Sequence, residues 1–423
     1  MRWGMAWAIG AIALLASSDV WAQARVDYSG QATPEIGALD FGPLSLPPWA
    51  LTPYTFSPAP DAIGRFWGQV DAAPTYKIND SAAFGLQLGV YSNLNTANIG
   101  TRAAVPFDDT NLNLTRIKPQ TALDIDRLAL FYQGSFGRLE LGFGAGVSER
   151  TAVVGPHDYG VGSYAGDFPY FLDKPQDVGF NSVSAYGSAN DSPRLIYLSP
   201  RLGGLQAGVS YQPDTRESDF DFVYGQSSMG ILGRGPTGTG TFEAVSDGFI
   251  NVVEAGVNYD QTFGPFRLQA SLAGIRGDPV PSPTGAQFYG LASYQLGYQI
   301  SYGDWSLGAG AVNAGTSGYT KVPLVKQRPE QYDYYGGVQY SPGKWTFGAG
   351  LLYSSDEGDP TFRSNRQLWF YSAGLRYRFN DNLDAGFELD KAATLSADFG
   401  DDRTVMALMQ LRYSFAGAYP LSH

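Results

Sequence analysis

Apolar and polar residues alternate along most of this chain in segments of about ten residues. In residues 138–147, RLELGFGAGV, the apolar side chains of Leu139 and Leu141 share one face, and Arg138 and Glu140 share the other. A repeat of two residues is the period of a β-strand. Sixteen segments of this kind follow the first 24 residues, so the pattern predicts sixteen strands, one of which spans 138–147.

Short and long connections alternate between these segments. The short ones read NDSA, GSFG, PRLGG, QTFGP, YGD, SPG and NDN, and a longer loop separates each from the next. In an antiparallel sheet this order places every tight turn at one end and every long loop at the other. It is typical of an all-β transmembrane barrel with antiparallel up-and-down strands. A soluble sandwich would mix the two kinds of connection through its Greek-key crossings.

The polar face of the predicted strands carries glycine and charged residues. Examples are Asp384 and Glu388 on the fifteenth segment and Arg376 and Arg412 on its two neighbours. Sixteen strands enclose a space too wide for such side chains to pack together as a core. The polar face is therefore predicted to line water, and the apolar face to contact lipid.

The connection between the fifth and sixth segments is a loop of about forty residues, rich in Gly, Asp, Ser and aromatic residues. A loop of this length in a compact protein is usually functional or disordered. By itself it could be a lid, an insertion or the constriction of a pore. Its place as the third connection at the long-loop end favours the constriction.

The first 24 residues have the features of a secretory signal peptide. Arg2 precedes an apolar run from Met5 to Ala16, and small residues precede a cut after Ala22 or Ala24. A single membrane-spanning anchor is the less favoured alternative, because a spanning helix needs roughly 20 apolar residues. The sequence therefore predicts export through residues 1–24.

The rest of the chain reads as one unit without linkers. We predict a single barrel over 25–415, followed by a short extension over 416–423. No cysteine is present, so the exported protein must hold together without disulfides. A closed barrel can do so, because closure leaves no strand edge unpaired.

Composition argues against several other functions. The 28 Lys and Arg residues and 40 Asp and Glu residues give a formal charge of −12, which is unsuited to binding nucleic acid. The two histidines are His157, in the long loop, and His423, and no nucleophile elbow is present. We therefore predict no enzymatic activity, no metal and no cofactor.

Two stretches and the last predicted strand carry a family likeness. They read GSFGRLELGFG, SPRLIYLSPRLGGLQAGVSYQ and, at the end of the last strand, RYSF. With the strand count and loop order, they resemble the general diffusion porins of Gram-negative outer membranes. The resemblance implies a 16-stranded, homotrimeric barrel in outer-membrane lipid, through which small hydrophilic solutes pass.

The same resemblance implies that the third outer loop folds inward and that its acids face arginines on the wall. It also implies that the aromatic residues ending the last strand, here Tyr413 and Phe415, are an assembly signal for the barrel-assembly machinery. Two features depart from the family pattern. HDYGVGSYAGDFPYF replaces the short acidic-aromatic stretch at the loop tip, and AGAYPLSH follows Phe415.

A pore selects by its size and by the charges around its narrowest section. If residues 150–190 fold inward, the candidate acids of the constriction are Asp158, Asp167, Asp173 and Asp177. On the pore wall, Arg127 at mid-strand is predicted to oppose them, with Arg65 and Asp71 as further wall residues. Arginines beside the short turns are predicted to line the periplasmic mouth: Arg138, Arg376, Arg378 and Arg412. The alternative for these groups is simple solvation.

The excess of acids predicts a weak to moderate preference for cations. A substrate-specific channel of the carbohydrate type is the alternative, because aromatic residues that could form a sugar track crowd the same loop. They are Tyr159, Tyr164, Phe168, Tyr170 and Phe171. A structural barrel that conducts nothing is a third possibility.

Overall fold

The computed structural model is a closed barrel of sixteen antiparallel strands, each paired with its neighbours in sequence, with the first strand paired to the last. It describes residues 24–41, 62–95, 121–165, 193–215, 248–282, 285–318, 321, 330–357, 366–396 and 400–420. The predicted fold class and strand number are confirmed.

Fourteen of the sixteen strands have ten residues or more, about the length that a tilted strand needs to cross the hydrocarbon layer, and the first and last are among the longest. They are β1 Ala24–Phe41, β2 Ala62–Asn79, β3 Ala82–Asn95, β4 Thr121–Gly134, β5 Gly137–Phe143, β6 Arg194–Leu198, β7 Leu205–Asp214, β8 Phe249–Phe263, β9 Phe266–Pro279, β10 Leu291–Tyr302, β11 Trp305–Gly315, β12 Glu330–Tyr340, β13 Trp345–Glu357, β14 Arg366–Arg378, β15 Leu383–Ser396 and β16 Gly400–Pro420. A helix, α1 (Val147–Thr151), and a 3-10 turn (Ser163–Ala165) follow β5. Within the described ranges, no helix has the length and apolar character needed to span a bilayer.

Tight turns lie at one end of the barrel, as the alternation of connections predicts. Gly303 and Gly343, with φ of 55° and 62°, occupy the left-handed region in two of them, where glycine is favoured. One connection departs from the predicted order. β15 ends at Ser396 and β16 begins at Gly400, so this link at the long-loop end is also short.

The fifth strand is shorter than the predicted span of 138–147. β5 ends at Phe143, and Gly144, with φ of 143°, turns the chain into α1. Val147, predicted on the lipid side, is instead fully buried inside the barrel. The predicted strand was too long because glycine and small apolar residues preserve an alternating pattern where the backbone already bends.

The last strand is longer than the predicted end of the barrel. β16 continues past Phe415, and Ala416 to Pro420 pair with β1, where Pro420 lies opposite Arg25. These residues therefore belong to the barrel wall and not to a separate segment.

Side chains alternate between the two faces of the wall. On β10, Ser293 and Gln295 are buried inside, while Tyr294 and Leu296 are exposed on the outer face. Aromatic rings cluster at the short-turn end of the outer face, including the pair Trp305 and Tyr340 with ring centroids 4.6 Å apart. Such a ring of aromatic residues suits the boundary between hydrocarbon and headgroups.

The sequence predicts that the inner face is polar throughout, and the structure differs from this prediction. On β11 to β16 it carries a cluster of buried apolar side chains that includes Leu352, Phe370 and Met406. Val161 and Tyr164, from the segment after β5, pack against this cluster. Part of the barrel interior is therefore a hydrophobic core, because a loop covers the wall there and excludes water from it.

Candidate pore constriction

Residues 147–165 lie inside the barrel, along its inner wall. α1 contacts β7, β8 and β9, and the 3-10 turn contacts β13 and β14. The segment between them passes over the strands in order, because Val153 meets β10, Pro156 meets β12 and Gly160 meets β15. The described part of the loop therefore runs around about half of the wall, and we call it the wall loop.

Glycines on the inner face make room for the wall loop. A Cβ atom at Gly297 would lie 1.8 Å from the Val153 carbonyl oxygen, and one at Gly386 would lie 2.4 Å from that of Gly160. Distances this short leave no space for any side chain. The glycines under the loop, which we call the glycine track, are Gly256, Gly297, Gly308, Gly337, Gly348, Gly350, Gly374 and Gly386. They place the path of the loop on β8 to β15.

A buried ion pair anchors the start of the wall loop. Glu254 on β8 accepts hydrogen bonds from the backbone N–H and the hydroxyl of Ser148, both at 2.8 Å. The same carboxylate pairs with Arg194 at 2.9 Å, and both side chains are almost completely inaccessible to solvent. Gln295 donates to the Ser148 carbonyl oxygen at 2.8 Å. Sequence reasoning missed this anchor, although Glu254 does alternate with apolar residues on its strand.

A second carboxylate anchors the far end of the wall loop. Glu388 Oε2 accepts hydrogen bonds from three consecutive backbone N–H groups, those of Val161, Gly162 and Ser163, at 2.6, 3.2 and 3.2 Å. Arg376 donates to the Gly160 carbonyl oxygen at 2.6 Å. Backbone groups that a loop inside a barrel would otherwise leave unpaired are thus satisfied by the wall.

Asp158 is the predicted constriction acid that the structure describes, and it pairs with Arg376 at 2.9 Å and Arg412 at 3.2 Å. Both arginines also bind Asp384, at 3.1 and 3.0 Å. The predicted opposition of this acid to Arg127 is therefore wrong. The glycine track carries the loop tip towards arginines that had been assigned to the mouth by their closeness to the short turns. Asp167, Asp173 and Asp177 lie outside the described residues.

Arg127 lies elsewhere, in a basic cluster at the root of the wall loop. Its side chain lies beside Gly144 and close to Arg150 of α1. Arg150 pairs with Glu140 at 2.7 Å. Arg138 also pairs with Glu140. We call Arg127, Arg138, Arg150 and Glu140 the root cluster, in which two guanidinium groups pair with one carboxylate and that of Arg127 lies beside Gly144.

The other predicted wall residues lie on β2. Arg65 is buried, where it pairs with Glu35 at 3.3 Å and donates to the Tyr91 hydroxyl at 2.8 Å. Asp71 accepts a hydrogen bond from Gln69 at 3.1 Å and lines a cavity of about 510 Å³. Asn382 of a short turn borders the same cavity, which places Asp71 towards the short-turn end.

Arg378 is exposed beside a short turn. The structure thus places Arg378 near the turns, where the sequence predicted it. The aromatic residues Tyr413 and Phe415 lie near each other at the same end of β16, with ring centroids 6.3 Å apart.

The two described aromatic residues of the predicted sugar track are not available to a solute. Tyr159 and Tyr164 are 0% and 2% exposed. Tyr159 bonds to the Ser372 hydroxyl at 2.6 Å, and Tyr164 stacks on Tyr335 with centroids 5.9 Å apart. Burial raises the pKa of both phenols, so both stay neutral. They attach the loop to the wall.

Solved structures similar to this chain include outer-membrane proteins. They include OmpF of Salmonella typhi in complex with daunomycin, with a TM-score of 0.55 and 13% identity over 92% of this chain and 97% of that one. An anion-selective porin from Comamonas acidovorans gives 0.52 and 11%, over 93% and 100%. At sequence identities this low, the structural likeness establishes a shared fold alone.

The proteins related to this chain in sequence match only about half of its length. Uncharacterized proteins of Rickettsia conorii and Rickettsia prowazekii are each 24% identical over 52% of this chain. The match spans 60% of the length of each of those proteins. A family model described as Gram-negative porin matches residues 6–394. That match and the closed sixteen-stranded barrel establish that the chain belongs to the Gram-negative porins.

Proposed function

We propose that this channel lets small hydrophilic solutes and ions diffuse passively across the outer membrane. The observation that carries the proposal is the wall loop itself. It is held inside the barrel by Glu254, Glu388 and the glycine track, so it narrows the lumen from one side and is fastened at a defined height. A fastened loop sets a size limit without needing a mobile gate.

We infer a weak preference for cations. The formal charge of −12 favours cations in the vestibules. The root cluster, which holds three arginines and the single acid Glu140, and the pairing of Asp158 with Arg376 and Arg412 keep the preference weak at the loop. A reversal potential in a salt gradient that favours anions would contradict this inference.

The site assignments are proposals of the same kind. Asp158 and the remaining loop acids, Asp167, Asp173 and Asp177, are proposed for the constriction. Arg127, Arg65 and Asp71 are proposed for the open wall. Arg138 and Arg378 are proposed to line the pore towards the mouth. Each residue is tested by substitution. If a substitution changes neither conductance nor ion selectivity, the assignment of that residue to the pore is contradicted.

General diffusion is favoured over a carbohydrate-specific channel because Tyr159 and Tyr164 are packed into the wall. A sugar track needs aromatic faces open to the lumen. Block of the conductance by sugars at saturable concentrations would instead support the specific channel.

Export through residues 1–24, assembly through Tyr413 and Phe415, and a homotrimer complete the proposal. One structural neighbour, OmpT of Vibrio cholerae, was solved in a trimer form, with a TM-score of 0.51 and 12% identity over 93% of this chain and 98% of that one. Cross-linking of the purified protein in mild detergent tests the trimer, and a monomer alone would contradict it.

Conductance in planar bilayers tests the channel and its constriction together. The full barrel, a variant lacking residues 155–185 and a control variant lacking residues 218–245 are compared. The control deletion shortens another connection at the same end of the barrel. We expect the first deletion to raise conductance and the control to leave it near the value of the full barrel. No conductance from the folded full barrel would overturn the channel function, and equal conductance of all three would overturn the constriction.

A further inference from the structure

The seam where β1 joins β16 carries a polar cavity on its inner face, towards the short-turn end of the barrel. Its volume is about 510 Å³, within the range of roughly 300 to 1,000 Å³ found for sites that hold small molecules. Inward residues of β1, β2 and β16 line it, and the β14–β15 turn closes one side. We call it the seam cavity, and its polar lining includes Ser29, Gln31, Gln69, Asp71, Asp381 and Ser414. Because the strand residues face inward, a permeating solute can reach it.

The strand register places the lining residues in two adjoining rows. Asp71 lies opposite Ser29, and Gln69 lies opposite Gln31. On the other side of β1, Gln31 lies opposite Ser414. Side chains directly opposite one another in an antiparallel sheet have Cβ atoms about 4.5 to 5.5 Å apart. The two rows therefore form one continuous polar patch, about 10 Å across from β2 to β16.

Several polar groups of this patch have spare hydrogen-bonding capacity. Asp71 Oδ2 accepts a hydrogen bond from Gln69 at 3.1 Å, whereas its Oδ1 is buried without a partner. Among the described residues, the side chains of Ser29 and Gln31 have no hydrogen-bonded partner either. A buried acceptor without a partner costs free energy. The seam cavity is therefore suited to a ligand that brings hydrogen-bond donors.

The seam cavity is negatively charged. Asp71 and Asp381 contribute two carboxylates, and no lysine or arginine is among the described residues that line it. Arg25 and Arg412, the nearest arginines along β1 and β16, already pair with other acids. In the part of the chain that the structure describes, neither Asp71 nor Asp381 has an ion-pair partner. A cationic ligand would meet two carboxylates that no arginine neutralises.

We propose that the seam cavity binds cationic sugars, so that amino sugars are a class of solute that the channel retains as they pass. The ammonium groups would lie at Asp71 and Asp381, which accept charge-assisted hydrogen bonds. The hydroxyl groups would lie at Gln31, Gln69 and Ser414, whose side chains both donate and accept. The proposal rests on the diffusion function above, because a solute reaches the seam cavity through the lumen.

Retention at the seam cavity is compatible with general diffusion. The site lies on one part of the wall, at the junction of β1 and β16. It can therefore hold one class of solute without excluding others, and it needs no aromatic track along the loop.

Binding to the purified barrel tests the site without any measurement of current. The barrel is kept in a detergent without a sugar headgroup, at about pH 6, where amines carry protons. Saturation-transfer NMR gives the dissociation constants of three probes: the disaccharide of glucosamine, its N-acetylated form and putrescine. We expect the glucosamine disaccharide to bind about tenfold more tightly than either of the others, because it alone carries both ammonium and hydroxyl groups.

Matched variants assign the binding to the seam cavity. D71N/D381N removes both carboxylates and should bind the glucosamine disaccharide about tenfold more weakly than the unsubstituted barrel. D80N/D304N removes two exposed acids of other short turns, so it changes the total charge equally and should bind as the unsubstituted barrel does. Equal binding of the three probes, equal binding by D71N/D381N and the unsubstituted barrel, or an equal loss in D80N/D304N would each overturn the proposal.

The amino-sugar site and the diffusion function fail separately. A barrel that conducts in salt but does not distinguish the three probes would overturn the site alone. A barrel that binds the glucosamine disaccharide but shows no conductance would overturn the diffusion function alone. Heat-modifiable migration on gels confirms that every variant is folded.

Discussion

The inner wall of this barrel has a covered half and an open half, and the two are built from different residues. Under the wall loop, β8 to β15 present the glycine track, two buried carboxylate anchors and an apolar cluster. On β1 to β5 the wall carries charged side chains, among them the partly exposed Arg127 and Asp71 and the buried Arg65. The comparison indicates that the path of the loop is set by where side chains are missing, and that charged groups remain on the open wall and at the loop tip, where Asp158 pairs with Arg376 and Arg412.

The largest effect is expected from breaking the anchor at the start of the covered half. Glu254→Ala leaves Arg194 buried without its partner, which costs about 3 to 5 kcal/mol in comparable sites. The midpoint of urea unfolding, followed by heat-modifiable migration, measures the loss. R194M/E254M removes both charges and should lose less. If Glu254→Ala were as stable as the unsubstituted protein, the ion pair of Arg194 and Glu254 would not be what holds the loop.

A smaller effect is expected from filling the glycine track. Gly297→Ala places a methyl group against the Val153 carbonyl oxygen, and overpacking of this kind costs about 1 to 3 kcal/mol. Because the loop is pushed away from the wall, conductance should fall. Gly68→Ala on the outer face of β2, where a Cβ would lie 3.3 Å from its nearest neighbour, is the control away from the wall loop. Equal conductance of the two variants would contradict the role of the track.

Loosening the far anchor should affect the loop more than the barrel. Glu388→Gln keeps an acceptor but removes the charge that strengthens three backbone hydrogen bonds, and hydrogen bonds to charged groups contribute about 1.5 to 3 kcal/mol. We expect faster hydrogen exchange of residues 160–165 and noisier single-channel current, with little change in the urea midpoint. Unchanged hydrogen exchange of residues 160–165 would mean that the other contacts hold the loop without the charge of Glu388.

The smallest effect on stability is expected at Asp158. Its side chain is 57% exposed, and exposed ion pairs contribute about 0 to 1 kcal/mol. Asp158→Asn should leave the unfolding midpoint within error and shift the reversal potential towards anions, because the positive charge of Arg376 and Arg412 is then less balanced. A shift towards cations would contradict the placement of this acid in the conducting path.

Much of the fold follows from local pattern, and most of the site does not. Alternation and turn spacing predict sixteen strands because pairing between consecutive strands is a local matter. The contacts of Glu388 with Val161, or of Arg376 with Asp158, join residues more than two hundred positions apart, and no strand pattern contains them. A usable signal was present. On β8 and on every strand from β10 to β15 a glycine faces the wall loop, and that row marks where another chain segment must pass.

The seam between β1 and β16 has a consequence for the order of folding. The first and last strands, which are farthest apart in sequence, pair there, from Arg25 opposite Pro420 to Phe41 opposite Thr404. Contacts between such distant positions form late, because the entropy of closing the whole chain is lost in one step. Until Pro420 arrives, the sheet has two open edges and no lumen. The barrel therefore encloses a lumen only once β16 has paired with β1.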